Sequence, residues 1–246
     1  MLFRSAPDGY TLVLAFDGTM VINPHVFAKV PFDSLKDYTS IGKIGNAALV
    51  LVAHPDVKAR NLAEAIALSK TTPGGLSFGT SGTGGTPHIA GELLKMRAGA
   101  NLTHVPYKGG GPAMTDMLGG QVDFYISSLV SALPLIKDRK LRALAVTSGT
   151  RDASLPDVPT FIESGFKGFE YYTLYGVVVP ARTPENVVQT MNREINRVLD
   201  APDVRANLAT RGIYVRTGTP EAFDAFLNSE RKKWAEVVKA SGATAE

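Results

Sequence analysis

Cysteine is missing from all 246 residues of the sequence, which excludes disulfides, thiolate metal ligands and cysteine nucleophiles. Also missing is any apolar run near the ~18 residues of a membrane-spanning helix. The longest, Ala47 to Ala53, suits a buried strand, so no direct membrane insertion is expected. Neither sign of charge dominates: 26 Lys and Arg against 23 Asp and Glu leave a formal +3. The basic residues are scattered, and Asp138 breaks the densest stretch, Lys137 to Arg142. A nucleic-acid binder needs a basic stripe with interleaved aromatics, so no nucleic-acid partner is expected. No repeat of fixed period is present. Met1-Leu2-Phe3-Arg4 lacks the apolar core of a secretion signal, which leaves two readings: a protein that stays inside the cell, or a true N-terminus further upstream.

What is present is an alternation of short β-rich runs with amphipathic helical patterns, the mark of an α/β chain with mostly parallel strands. Tyr10 to Phe16, Ala47 to Ala53, Leu76 to Phe78, Val122 to Ile126, Leu141 to Thr147 and Val177 to Val179 read as strands. Asn61 with Glu64 three residues on predicts a capped helix start. Thr183-Pro184 and Thr219-Pro220 open two carboxyl-terminal helices.

Two glycine-rich segments stand out. Gly79-Thr80-Ser81-Gly82-Thr83-Gly84-Gly85-Thr86-Pro87-His88 follows a strand and enters a helix, with Thr86 predicted as N-cap and Pro87 as first helical residue. Val105-Pro106-Tyr107-Lys108-Gly109-Gly110-Gly111-Pro112 repeats the arrangement, and Gly119-Gly120 ends its helix. Glycines let backbone N–H groups converge on a ligand, and a helix start adds unpaired donors and partial positive charge. Two such corners facing each other would suit a dicarboxylate or an amino acid; each is equally readable as a structural turn.

The familiar phosphate and nucleophile motifs fail. Gly84-Gly85 is followed by Thr86-Pro87 where a P-loop needs Lys and Ser or Thr. Pro87 stands where a dinucleotide fingerprint needs glycine, and Thr83 replaces the second glycine of a nucleophile elbow. His25, His54, His88 and His104 show no metal-ligand spacing, so neither metal nor cofactor is expected. His88 is placed either to donate to an anion or to pack beside the helix start. Lys108 either brings charge to the second loop or is solvated. Tyr171, Tyr172 and Tyr175 are either a cleft wall or core and sheet surface.

The residues themselves go further than the pattern. Ala6-Pro7-Asp8-Gly9-Tyr10-Thr11-Leu12, Ile22-Asn23-Pro24, Leu35-Lys36-Asp37-Tyr38, Gly79 to Leu94 and His104-Val105-Pro106-Tyr107-Lys108-Gly109 strongly resemble the periplasmic receptors of tripartite tricarboxylate transporters, the Bug family. Leu118 to Val122, Ser131 to Pro134, Lys140 to Thr147 and Leu155 to Thr160 extend the likeness in register.

This resemblance implies a type II periplasmic-binding-protein fold: two lobes with central, mostly parallel sheets, joined by two crossovers near Val105 and Val177. Residues 1–104 would form lobe 1, 105–177 lobe 2, and 178–246 the return to lobe 1 with the carboxyl-terminal helices. It implies a monomeric periplasmic receptor, not an enzyme, that holds a small carboxylate in an interlobe cleft and delivers it to the permease subunits. Ser81, Gly82, Thr83, Gly84, Thr86 and His88 would hold the ligand from one lobe, and Lys108, Gly109 and Gly110 from the other. Asp17, Gly18 and Thr19 would lie on the rim. Ser127 stands where many relatives carry aspartate, which favours a simple organic acid over an amino acid. Leu174 replaces a frequent tryptophan, which predicts a more open wall. The family's first strand–helix–strand unit is expected to be missing, leaving a strand edge exposed. An enzyme acting on a small anion, or a sensor without a solute, are the rival readings; turnover dependent on Ser81 or His88 would favour the first.

Overall fold

The computed structural model describes residues 5–244; the four amino-terminal residues discussed above lie outside them. Contacts divide the chain into two compact units. The first takes in residues up to Asn46 together with Thr173–Lys239, and the second Ala47–Tyr172 with Ala240–Ala243.

In the first unit β1 (Val13–Phe16) leads through a π-helical turn, Gly18–Ile22, into the single turn α1 (Asn23–Val26) and then the first half of β2 (Tyr38–Ala53). The chain re-enters this unit on β7 (Tyr172–Pro180), followed by α6 (Glu185–Leu199), α7 (Pro202–Thr210), β8 (Tyr214–Val215) and α8 (Pro220–Ser241). β1 pairs antiparallel with β7, from Val13 opposite Val178 to Phe16 opposite Tyr175. β8 pairs with β2 at Gly45 and Asn46.

The second unit holds the rest of β2, then α2 (Leu62–Thr71), β3 (Leu76–Thr80), α3 (Thr86–Ala98), β4 (Leu102–Pro106), α4 (Gly110–Leu118), β5 (Phe124–Ser128), α5 (Leu129–Lys137) and β6 (Arg142–Val146). β3 lies parallel to β4 and to β5, while β2 lies antiparallel to β5 and to β6. Four strands therefore run one way and β2 against them, in the order β6-β2-β5-β3-β4. Every residue from Ala47 to Ala53 is at most 3% exposed, as expected of a strand covered on both faces. Val50, Val52, Met117, Tyr125, Leu129 and Val146 share one core.

These boundaries differ from the expected ones. Val105 is no crossover: β3 and β4 pair continuously from Leu76 opposite Leu102 to Thr80 opposite Pro106, so residues on either side of position 104 share one sheet. The chain instead changes unit within β2, after Asn46, and again after Tyr172. Leu174 is buried, 4% exposed.

Asn61 caps α2 as predicted, its Oδ1 accepting the Glu64 N–H at 2.9 Å. At α3 the prediction misses by one residue: Gly85 is the N-cap, and its carbonyl accepts the Ile89 N–H at 3.2 Å.

β1 ends the sheet order and presents Tyr10, Leu12, Leu14 and Phe16, 91, 47, 49 and 36% exposed, at alternate positions approaching and along it. An apolar row on a strand edge that no other strand pairs among the described residues is a template for association. The chain is expected to show concentration-dependent self-association in analytical ultracentrifugation, reduced by Leu14→Lys. A strictly monomeric wild-type chain at high concentration would refute this.

Candidate functional site

Because β3, β4, β5 and β6 run one way, their carboxyl ends lie along one edge of the sheet, where open α/β sheets place their ligands. Three of these ends carry hydroxyl pairs: Thr80-Ser81, Ser127-Ser128 and Thr147-Ser148. The fourth, at β4, continues into Tyr107-Lys108. Register brings them level, since Val50 of β2 stands opposite Ser127 on one side and Val146 on the other.

The two glycine-rich loops are neighbours within the second unit, which corrects their assignment to opposite lobes. Parallel strands release their loops on the same side, and the pairing continues past the strands. Tyr107 N–H donates to Thr80 O and Gly109 N–H to Ser81 O, both at 3.1 Å. Gly84 at φ +81° and Gly109 at φ +109° occupy backbone conformations that side chains disfavour. Lys108 is exposed, as is Ser81.

The one-residue shift in the start of α3 has a chemical consequence. With Gly85 as cap, the Thr86 hydroxyl is not used on the helix's own N–H groups. Thr86 is 1% exposed and its Oγ1 has no hydrogen-bond partner. It sits at the amino end of a thirteen-residue helix, beside N–H groups that no intrahelical carbonyl satisfies. An acceptor from outside would meet both the hydroxyl and the helix field.

A stack of rings carries the first loop from below. Phe78 and His104, opposite each other in register, have ring centroids 5.0 Å apart, and His104 and His88 4.2 Å. His104 Nε2 bonds Thr80 Oγ1 at 2.7 Å, and His88 Nδ1 accepts the Gly84 N–H at 3.3 Å. Burial pushes both imidazoles down, His104 to about 3, so both stay neutral near pH 7. His88 thus props the loop and supplies no charge.

His88, Glu92 and His104 bring ligand atoms within 4.8 Å of one another, a proximity their sequence spacing does not reveal. A neutral imidazole accepting at Nδ1 carries its proton on Nε2, which leaves His88 no lone pair for an ion. Rings stacked 22° from parallel also aim their in-plane lone pairs side by side and not at one point. Glu92 already receives Lys95 Nζ at 3.3 Å. The trio packs; it does not chelate.

Two side chains at this edge were not singled out from sequence. Ser148, 7% exposed, has an Oγ without a partner; its position one residue past a Thr at a strand end, like Ser81 after Thr80, was the available signal. The Tyr125 hydroxyl lies 3.7 Å from where a Cβ on Gly110 would stand. Burial pushes that phenol up, against a hydrogen bond with Ser127, and it stays neutral. Ser127 is itself buried, and its Oγ donates to Ser128 O at 3.1 Å.

Asp17 and Thr19 belong to the first unit. Thr19 is half-buried in the π-helical turn, and Asp17, 5% exposed, precedes that turn. Burial, opposed by backbone hydrogen bonds, raises the Asp17 pKa from 3.8 to about 7.

The family model described as "Tripartite tricarboxylate transporter family receptor" matches residues 1–243. The chain is similar to the structure titled "R. palustris Rpa4515 with adipate" at 28% identity and TM-score 0.96, covering 99% of this chain and 81% of that one. It is similar to periplasmic binding protein BugD at 31% identity and TM-score 0.93, covering 100% and 82%. MatC from Rhodopseudomonas palustris, solved with bound malate, is similar at 29% identity and TM-score 0.90, covering 96% and 82%. No helix among the described residues is long and apolar enough to cross a membrane.

Proposed function

Since the chain belongs to the tripartite tricarboxylate transporter receptor family, we propose that it is a periplasmic receptor that captures a small carboxylate and passes it to permease subunits, breaking no covalent bond. The observation that carries this reading is the buried Thr86 hydroxyl, unpartnered at the amino end of α3. A carboxylate oxygen there would accept from the hydroxyl and from the Ser81 and Thr83 N–H groups of the first loop, those of Gly82 and Gly84 being held by Thr80 and His88. Gly109, Gly110 and Ser127 complete the set within the second unit, with Lys108 as its cation. Support for the ligand class comes from relatives solved with adipate and malate, both carboxylates. With His88 and His104 neutral, recognition falls to hydroxyls, amides, the helix field and Lys108.

The test is thermal shift across mono-, di- and tricarboxylates, with amino acids as the contrasting set. A ligand held at a hundred times its Kd adds about 2.7 kcal/mol to stability, well within detection. Stabilisation by no carboxylate, or by amino acids alone, would overturn the proposal.

A further inference from the structure

The densest basic stretch of the sequence, Lys137 to Arg142, has no part in the ligand site, and folding enlarges it. β6 begins at Arg142, with Ala53 opposite. The stretch therefore lies at the amino end of β6, the edge away from the hydroxyl pairs. From there the Arg142 guanidinium reaches the segment that follows β2. Its Nη1 donates to Val57 O and Ala59 O, both at 2.9 Å, and its Nη2 to Pro55 O at 3.3 Å. That clamp holds Lys58 and Arg60 at the same end of the second unit as Lys137, Arg139 and Lys140. All five are exposed.

These cations are poorly matched within the chain. Among the described residues no carboxylate pairs with Lys58, Arg60, Lys137 or Arg139, and Lys140 has only Asp138, at 3.8 Å. Elsewhere Arg151, Arg197 and Arg205 each stand within 3.0 Å of a carboxylate. Arg139 also carries a backbone cost. It follows the cap of α5 at φ +58°, the left-handed position that glycine fills most cheaply. The helix end does not need its side chain. Backbone N–H groups of Asp138, Arg139 and Lys140 donate to Pro134 O, Ile136 O and Leu135 O at 2.9–3.0 Å. An arginine in this conformation, with no partner inside the chain, points to one outside it.

The interleaved acids Asp56 and Asp138, 92 and 62% exposed, choose between partners. A lipid surface is uniformly anionic and would repel both. A protein face can meet the cations with carboxylates and the aspartates with cations of its own, and arginine pairs carboxylates with two parallel bonds.

We propose that this basic end of the second unit docks on an acidic face of a permease subunit, with Arg139 and Lys140 as its main contacts. The inference rests on the receptor reading above. Within this unit the docking end is separated from the ligand edge by the five residues of β6, roughly 17 Å, so docking leaves that edge free.

Two variants test it. Arg139→Glu with Lys140→Glu reverses two exposed charges and touches neither core nor ligand site, while Arg139→Gly removes the charge and the backbone cost together. Uptake of labelled malate and adipate is read in cells of the organism that carries the gene, with receptor amounts matched by immunoblot. Both purified variants are expected to bind these acids with wild-type Kd, and the glycine variant to unfold at the wild-type midpoint or above it. Uptake is expected to fall at least about tenfold on charge reversal, the low end of what electrostatic steering supplies, and less in the glycine variant.

Uptake at the wild-type rate in both variants would overturn the proposal. So would lowered unfolding midpoints that account for the loss, since the cations would then serve the carboxyl end of α5. Phosphatidylglycerol vesicles supply a further arm. Co-sedimentation of wild type with them at physiological salt, lost on charge reversal, would give the surface to lipid and overturn docking on protein. Wild-type cells that take up neither acid, although the purified chain binds one, would overturn delivery and docking together. Binding of no carboxylate by the purified chain would sink the receptor reading itself, a result distinct from all of these.

Discussion

Gly91→Ala is expected to destabilise the protein by about 1–3 kcal/mol, even though alanine is the better helix residue by roughly 0.5–1 kcal/mol. Gly91 lies inside α3, and a Cβ there would stand 2.2 Å from Phe78 Cε2 and 2.6 Å from Cζ. The ring has little room to retreat. Phe78 is 1% exposed and backed by His104, which is backed in turn by His88. Displacing it disturbs the Thr80–His104 bond and the Gly84–His88 bond that hold the first loop. The midpoint of thermal unfolding should fall by about 2–4 °C for each kcal/mol lost, and ligand affinity should weaken with it. Should the alanine variant equal or exceed wild type in stability, helix propensity has won and the packing account is wrong.

Thr86→Val is expected to move stability and binding in opposite directions. The substitution keeps the shape and removes a buried hydroxyl that has no partner in the empty protein. Relief of that unsatisfied group contributes up to about 1–3 kcal/mol of stability. Bound, the hydroxyl donates to a charged acceptor, an interaction worth about 1.5–3 kcal/mol, so Kd should rise roughly ten- to a hundredfold. Chemical denaturation of the empty protein and titration with malate or adipate separate the two effects. A purely structural threonine would give lower stability with affinity unchanged, and that result would remove Thr86 from the site.

Local signals were legible where their physics is local. Asn61 and Glu64 announced the start of α2 because a capping interaction spans three residues. Thr86 misled for the same reason: Thr followed by Pro reads as a cap, but Gly85 takes that place and His88 Nδ1 receives the Gly84 N–H. β2 was expected from Ala47 and begins at Tyr38. Gly42, Lys43, Gly45 and Asn46 are poor strand formers, and part of this segment is held by its pairing with β8. Gly45 itself allows that approach, since a Cβ would stand 2.4 Å from Tyr214 O.

Family, fold class and the two glycine-rich loops follow from the sequence alone, because hydrophobic alternation, turn chemistry and residue order are carried by the chain itself. Three things awaited the tertiary structure. Strand pairing put both loops on one sheet and moved the unit boundaries, because register depends on partners far along the chain. Packing brought His88, Glu92 and His104 together as a neutral prop. Burial left Thr86, Ser148 and Asp17 with polar atoms that nothing among the described residues satisfies. Whether a polar atom has a partner is a property of its whole surroundings, so no spacing of residues could have announced it.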